Sequence, residues 1–568
     1  MGVSSETKLN QQKSSDYKSC AGSSEFDDGP PSNGFTCDLQ NKQGERKRTV
    51  KVRKDTIQLK DLSAGTLHLF NQRLSKLKET NEDCCRTNTP VQLYAVPIIL
   101  AVGVTIALAL QIHLDASLVS IKGVASDHER CTVLSESVLR DGGSSVDAAI
   151  AGALCLGVVH PHVSGVGGGG VMLIHDIRHN KTRVINFEGS APNDLREDLL
   201  QNASGVQAGL LVGVPGMLMG LHHAHSLYGR LSWGHVIRRA AEVAREGFNV
   251  SQSLAVAISE LEREALTERF RNLFIPGGKA LSPGSHLRMP GVADVLEAGL
   301  FSFYHGAVSQ EIQEEVRANG GVLSAEDIGN YSSEVQQPLE GRYGEYIIQV
   351  PPPPSAGAAL LAALNLLAGF HLSGNDITVN QTHHWVEKAL AAALALARKL
   401  GDPKYNSSVS ELLSVMMSKS QSRAELLQQK SSRTSPSDNE SLKELLTGQV
   451  VVMGPDDLVV SVASSLNGPF GSRIITQSGI ILNSLILSFY WSNHSRGLPQ
   501  ANQMNHIGPG KRPLTFLMPS VMVPVWNKCG TYMGLSSSGG PNRLREITQM
   551  LELLILTNRT NESLSLEE

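Results

Sequence analysis

Between Arg86 and Asp115 the chain carries no Asp, Glu, Lys or Arg. Within that window LYAVPIILAVGVTIALALQIH, Leu93 to His113, is long enough at 1.5 Å per residue to cross about 30 Å of hydrocarbon. This predicts a transmembrane signal-anchor helix over 93–113. The 92 residues ahead of it are too many for a cleaved signal peptide. Arg73, Lys76, Lys78 and Arg86 stand before the segment, and only Lys122 and Arg130 in the 20 residues after it. By the positive-inside rule the amino terminus is cytosolic and the remainder extracellular or lumenal, a single-pass type II arrangement.

Glycosylation sequons follow the same division. They occur at Asn180, Asn202, Asn249, Asn330, Asn380, Asn406, Asn439, Asn493, Asn558 and Asn561, and none precedes the apolar segment. Cys20, Cys37, Cys84 and Cys85 fall on the reducing side, and Cys131, Cys155 and Cys529 on the oxidising side, where Cys131 and Cys155 are the natural disulfide pair. No cysteine or histidine spacing matches a metal site. A net charge of -4 argues against a nucleic-acid partner, which needs a concentrated basic surface.

Residues 1–92 read as a largely disordered cytosolic tail, because Ser, Lys, Asp, Gln and Gly dominate its first 64 positions without apolar periodicity. From Ser135 to Val159 a helix, a Gly-Gly break and a second apolar helix are expected, then the glycine run SGVGGGGVMLIHDI leading into a strand. Those glycines stand before a strand rather than between strand and helix, so close chain packing accounts for them better than a phosphate cradle. VPPPPSAGAALLAALNLL reads as a rigid turn entering a core helix, and HHWVEKALAAALALARKL as another helix. Residues 418–446 are polar and broken by Pro436, a linker on which a chain tolerates cutting. Beyond it QVVVM, LVVSVAS and GIILNSLILSF read as strands, the first two joined by the turn Gly454-Pro455-Asp456-Asp457. The whole predicts an α/β layered domain.

There is no Gly-X-Ser-X-Gly elbow, zincin helix or P-loop. His222, His223 and His225 share a helix with no acidic neighbour in sequence, so an exposed helix surface is expected there. Six blocks in order do carry a resemblance: RDGGSSVDAAIAGALCLGVVHPHVSGVGGGG, INFEGSAP, VGVPGMLMGLHHAHSLYGRLSW, PPPPSAGAALLAALNLL, SSLNGPFGS and GPGKRPLTFLMPS. Together they resemble the γ-glutamyltransferases, also called glutathione hydrolases.

The resemblance implies a four-layer αββα sandwich of the N-terminal-nucleophile hydrolase type. It implies a precursor that cleaves itself before a threonine, dividing the ectodomain into a large-subunit part, 117–446, and a small-subunit part, 447–568. The freed α-amine then acts as base for the threonine hydroxyl, which takes the acyl group of a glutathione-like γ-glutamyl substrate and passes it to water or to an amino-acid or peptide acceptor. Counting from the SSLNGPFGS block, the nucleophile falls on Thr447. Ser465 takes the position that orients it, Asn467 and Thr515 contact substrate, and Gly539 and Gly540 supply oxyanion N–H groups. This chemistry needs no cofactor and no metal.

Several pocket positions depart from the family pattern. Glu188 stands where an arginine holds the substrate α-carboxylate, and this exchange of attraction for repulsion changes the interaction by about 8 kcal/mol at 4 Å and an effective dielectric of about 20. Arg183 or Arg196 is the nearest sequence candidate to restore the charge. Leu485 and Ser488 replace two acidic positions, and Phe516 one serine of a pair. The 122 residues from Thr447 onward are fewer than such a small subunit has, so a truncated isoform or incomplete gene model is expected. Two functions compete: γ-glutamyl transfer and hydrolysis, or a catalytically degraded membrane glycoprotein of the same fold acting through protein binding.

Overall fold

The structure, a computed structural model, describes residues 123–200, 206–368, 379–418, 447–491, 503–526, 530–536 and 548. The predicted anchor over 93–113, residues 419–446 of the linker, Cys529, Gly539 and Gly540, and the sequons at Asn202, Asn439, Asn493, Asn558 and Asn561 lie outside them. Among the described residues no helix is long and apolar enough to cross a membrane.

In chain order the strands are β1 (Gly123–Ser126), β2 (Gly169–Asp176), β3 (Lys181–Asn186), β4 (Phe248–Asn249), β5 (His286–Leu287), β6 (Glu334–Gln336), β7 (Leu339–Tyr343), β8 (Tyr346–Val350), β9 (Gly448–Met453), β10 (Leu458–Ser465), β11 (Ser520–Pro524) and β12 (Met533–Leu535). They form a six-stranded sheet in the order β1-β9-β10-β2-β3-β6, a four-stranded sheet in the order β12-β11-β8-β7, and a short ribbon of β4 with β5.

Period-two alternation sorts the core into layers. In β2, Met172 and Ile174 join Val450, Val452, Val460 and Val462 in an apolar cluster under the helices, whereas Val171 and Leu173 join Val459, Ala463, Val521 and Val523 between the two sheets. The outer face of the four-stranded sheet, through Ile348, Val350 and Met522, packs on the helices Gly357–Ala368, Val379–Ala397 and Ser408–Met417. Helix, sheet, sheet, helix is the αββα order expected. It also explains why LVVSVASS is buried along its whole length: both faces of β10 are covered.

The DGGSS stretch sets the first helical layer. Gly142 adopts φ +88°, which ends the helix Glu129–Arg140 at no steric cost. Ser144 then caps the helix Ser145–Val159 in a reciprocal box with Asp147. The same Asp147 carboxylate accepts from the backbone N–H groups of Arg230 (2.8 Å) and Leu231 (3.1 Å), so a cap also fixes a distant loop. A disulfide joins Cys131 to Cys155 and ties these two helices together.

Two expectations are corrected. GIILNSLILSF is not a strand: its middle is irregular, followed by a single 3-10 turn over Leu485–Ser488. Its backbone bonds go to different loops, with Leu482 N–H donating to Ile474, Asn483 to Gly167 and Ser484 to Leu466, so its apolar run reflects burial on all sides rather than pairing. The histidine cluster is not an open helix surface either. His222 and His225 pack on Trp233, and His225 Nε2 donates to Leu231 O at 2.8 Å and lies 3.6 Å from Asp147.

Candidate active site

Thr447 immediately precedes β9 and is buried. The hairpin register pairs Ser464 with Gly448, so one further step sets Thr447 opposite Ser465. Ser465 in turn pairs with Gly169 of β2, and extending the β2–β3 pairing of Val171 with Asn186 by two steps, through the bonded pair Gly170 and Phe187, sets Gly169 opposite Glu188. Thr447, Ser465, Gly169 and Glu188 therefore form one row across the end of the six-stranded sheet. At about 4.8 Å per strand, Thr447 is about 5 Å from Ser465 and about 14 Å from Glu188, backbone to backbone. The row shares the parity of Val459 and Ala463, which face the second sheet.

The glycine run makes this end of the sheet possible. A Cβ on Gly167 would lie 2.1 Å from Ile481 O, and one on Gly168 would lie 2.3 Å from Ser465 O. Close backbone approach is thus the reason for these glycines, as the sequence implied.

Beyond Ser465 the chain turns through Asn467, whose φ of +75° is one that asparagine tolerates better than most residues. Ser465 Oγ accepts from Asn467 N–H at 2.9 Å. Asn467 Nδ2 donates to Ser484 O at 2.8 Å, and Ser488 Oγ donates to Asn467 Oδ1 at 2.6 Å. Asn483, which sequence reasoning passed over, is the brace of the site. Its Oδ1 accepts from Gly213 N–H (2.9 Å) and Leu485 N–H (3.0 Å), while its Nδ2 donates to Gly167 O and Gly213 O. Only an amide offers two acceptor and two donor directions from one short side chain. Leu-Asn between apolar residues was the available signal, since a buried Asn requires such a network.

A pocket of about 280 Å³, including its open mouth, is lined by Gly168, Gly169, Glu188, Gly189, Ser465, Leu466, Asn467, Asn483 and Leu485. Thr447 stands one strand away from this lining. Glu188 is 5% exposed, and burial pushes its carboxyl up to about 8, partly opposed by a hydrogen bond from the Thr515 hydroxyl and by the Arg512 charge. Oε2 of Glu188 has no hydrogen-bond partner among the described residues. At neutral pH the group is mainly a neutral acid, so the repulsion expected from sequence shrinks: the position lacks a cation without supplying a full anion, about half of the 8 kcal/mol change.

The nearby cation is Arg512, rather than Arg183 or Arg196. Arg183 is exposed on β3, and Arg196 is exposed and pairs with Asp198. Arg512 is buried, yet its donors are committed: Nε to Glu188 O (3.3 Å), one terminal nitrogen to Ser332 O (2.7 Å) and the other to Glu334. Thr515 is buried next to Glu188, whereas Phe516 turns to the apolar cluster under the outer helices and does not line the pocket. Leu485 does line it, and Ser488 reaches it only through Asn467. Among the described residues no group of three or more His, Cys, Asp or Glu is placed to hold a metal ion.

The profile of the family described as gamma-glutamyltranspeptidase matches residues 131–564. Glutathione hydrolase 7 of Homo sapiens is 43% identical over 527 residues, covering 89% of this chain and 80% of that relative. Glutathione hydrolase 2 of Arabidopsis thaliana is 32% identical over 455 residues, covering 76% and 77%. Among solved structures, cephalosporin acylase from Bacillus halodurans superposes with a TM-score of 0.61 at 25% identity, covering 71% of this chain and 74% of that one. The Helicobacter pylori gamma-glutamyltranspeptidase gives 0.51 at 26% identity, covering 56% and 94%. By profile, by relatives matched over most of their length and by its four layers, the chain belongs to the gamma-glutamyltranspeptidase family of enzymes, with the N-terminal-nucleophile hydrolase fold.

Proposed function

We propose that this chain transfers and hydrolyses γ-glutamyl groups of glutathione-like compounds after cutting itself before Thr447. Water adds across the Leu446–Thr447 peptide bond, leaving Thr447 with a free α-amine. That amine takes the hydroxyl proton as Oγ attacks the γ-glutamyl carbonyl carbon. The C–N bond of the donor breaks, the leaving amine carries the proton away, and an ester on Thr447 remains. Water or an amino acceptor then attacks the ester carbon, and Oγ regains a proton as its bond to the acyl group breaks.

In this reading Ser465, across one strand pair, orients the Thr447 hydroxyl, and Gly539 and Gly540 supply backbone N–H groups to the developing oxyanion. Asn467 receives the donor's amino end through an Oδ1 lone pair left over from Ser488, and Thr515 holds Glu188. The observation carrying the proposal is the in-register row from Thr447 through Ser465 and Gly169 to Glu188, which opens beside the pocket.

The test uses the full chain and its Thr447→Ala variant, run on a denaturing gel and assayed with a chromogenic γ-glutamyl anilide. Two bands and threonine-dependent release are expected. An uncut chain that releases nothing would instead support a binding role for the fold.

The proposal includes a type II membrane glycoprotein, anchored over 93–113. Its support is the charge bias around the apolar segment and the exposure of Asn180, Asn249 and Asn330. Glycosidase treatment should lower the apparent mass of the protein from cells, and no shift would refute the orientation.

A further inference from the structure

The pocket has one ionisable lining residue, Glu188, and no cation among its described lining residues. The Glu188 carboxyl is buried, with the Thr515 hydroxyl on one side and Oε2 without a partner among the described residues. The cation behind it is spent: the donors of Arg512 go to Glu334, Ser332 O and the Glu188 main-chain carbonyl. Tyr331 adds nothing to the carboxyl, because its hydroxyl donates to that same carbonyl at 2.8 Å. A ligand carboxylate entering here would lose its water and find no cation among the described lining residues to offset that loss. An amide N–H would find the acceptor that the described residues leave unpaired.

We propose that the pocket selects γ-glutamyl amides whose α-carboxyl group is itself an amide, with Glu188 accepting the amide N–H. The best-matched substrate class is a glutamine-type side-chain amide within a peptide or at an amidated chain end, while donors with a free α-carboxylate, glutathione and γ-glutamyl anilides among them, use the same site with weaker binding. This rests on the pocket being the acyl-donor site, but it predicts binding whether or not the chain turns over.

The test is titration calorimetry on the full-length Thr447→Ala protein with L-glutamine and with L-glutamine α-carboxamide. The α-carboxamide should bind at least tenfold more tightly, and Glu188→Leu should abolish the preference. Should Glu188→Leu not fold, Glu188→Gln keeps the shape and should reduce the preference at least threefold. Equal affinity, tighter binding of glutamine, no binding of either, or a preference unchanged by the Glu188 variants would each overturn the proposal. So would a preference that vanishes when the α-amine of both ligands is acetylated, because Glu188 would then be reading the ammonium. Failure of self-cleavage or anilide release in the separate assay bears on catalysis and leaves this binding result standing.

Discussion

Replacing Glu188 with Gln should flatten the pH dependence of stability. In the unfolded chain this carboxyl titrates near its ordinary value of 4.5, and in the folded protein near 8. The folded state therefore holds a proton that the unfolded state has released. Stability is fully present below pH 4.5, falls as pH rises, and levels off above about 8. At about 1.4 kcal/mol per pH unit, the wild type loses about 3 kcal/mol by pH 7 and about 5 kcal/mol by pH 8 relative to pH 4.5. Gln at 188 keeps an acceptor for Thr515 and has nothing to titrate, so its urea midpoint should change little from this source. The assay is urea unfolding of both proteins from pH 5 to pH 9, read as the difference between them. A difference that grows with pH in favour of Glu188→Gln is expected. A flat difference would show that Glu188 reaches water, and the reasoning about its protonation would fail.

Buried histidines should make the opposite demand on the acid side. His160 and His162 pack edge to face with ring centroids 5.3 Å apart, and burial, with each neighbouring histidine adding to it, lowers them to about 4 and about 3. Their neutral forms stabilise the fold above pH 6.5, and this is lost as pH falls, about 2 kcal/mol per histidine at pH 5. His162→Phe should recover about half of the pair's loss in thermal melts at pH 5 relative to pH 7. Asn483→Ala should cost about 3 kcal/mol or more by orphaning the N–H groups of Gly213 and Leu485, measured by urea midpoint and by loss of the self-cleaved bands. Cys131→Ser with Cys155→Ser should cost about 3 kcal/mol, given a sequence separation of 24, and a reductant should lower the wild-type melting temperature but not the variant's.

Much of the β9–β10 hairpin was legible because turn chemistry and apolar runs agreed. Gly454-Pro455-Asp456-Asp457 admitted only a turn, and Asp457 does adopt φ +59° there. GIILNSLILSF misled because a stretch enclosed by loops and a strand covered on both faces are composed alike. The decisive difference lies in which carbonyls receive its N–H groups, and periodicity carries no record of that. Glu188 was legible as an acid in an unusual place, but its protonation depends on burial in the fold, set against Thr515 and Arg512, which lie more than 100 residues away in sequence. Arg512 itself was hidden inside KRPLTF, since nothing local tells a buried cation from a surface one. His225 looked partnerless because Asp147 approaches it only through the fold.

The position of β9 and β10 has a consequence for what a cut before Thr447 could do. On one side β9 pairs with β1, on the other β10 pairs with β2, and in the second sheet β11 pairs with β8. In the six-stranded sheet, strands from beyond the cut are thus inserted between strands from before it, and in the four-stranded sheet they add to one edge. Neither piece has a complete sheet of its own, and the described disulfide lies wholly within the first. Cleavage would be a nick that frees an amine while the pieces stay interlocked, and their separation would require unfolding both sheets. One band on a native gel and two on a denaturing gel would be the signature of a protein that becomes two chains without ever becoming two bodies.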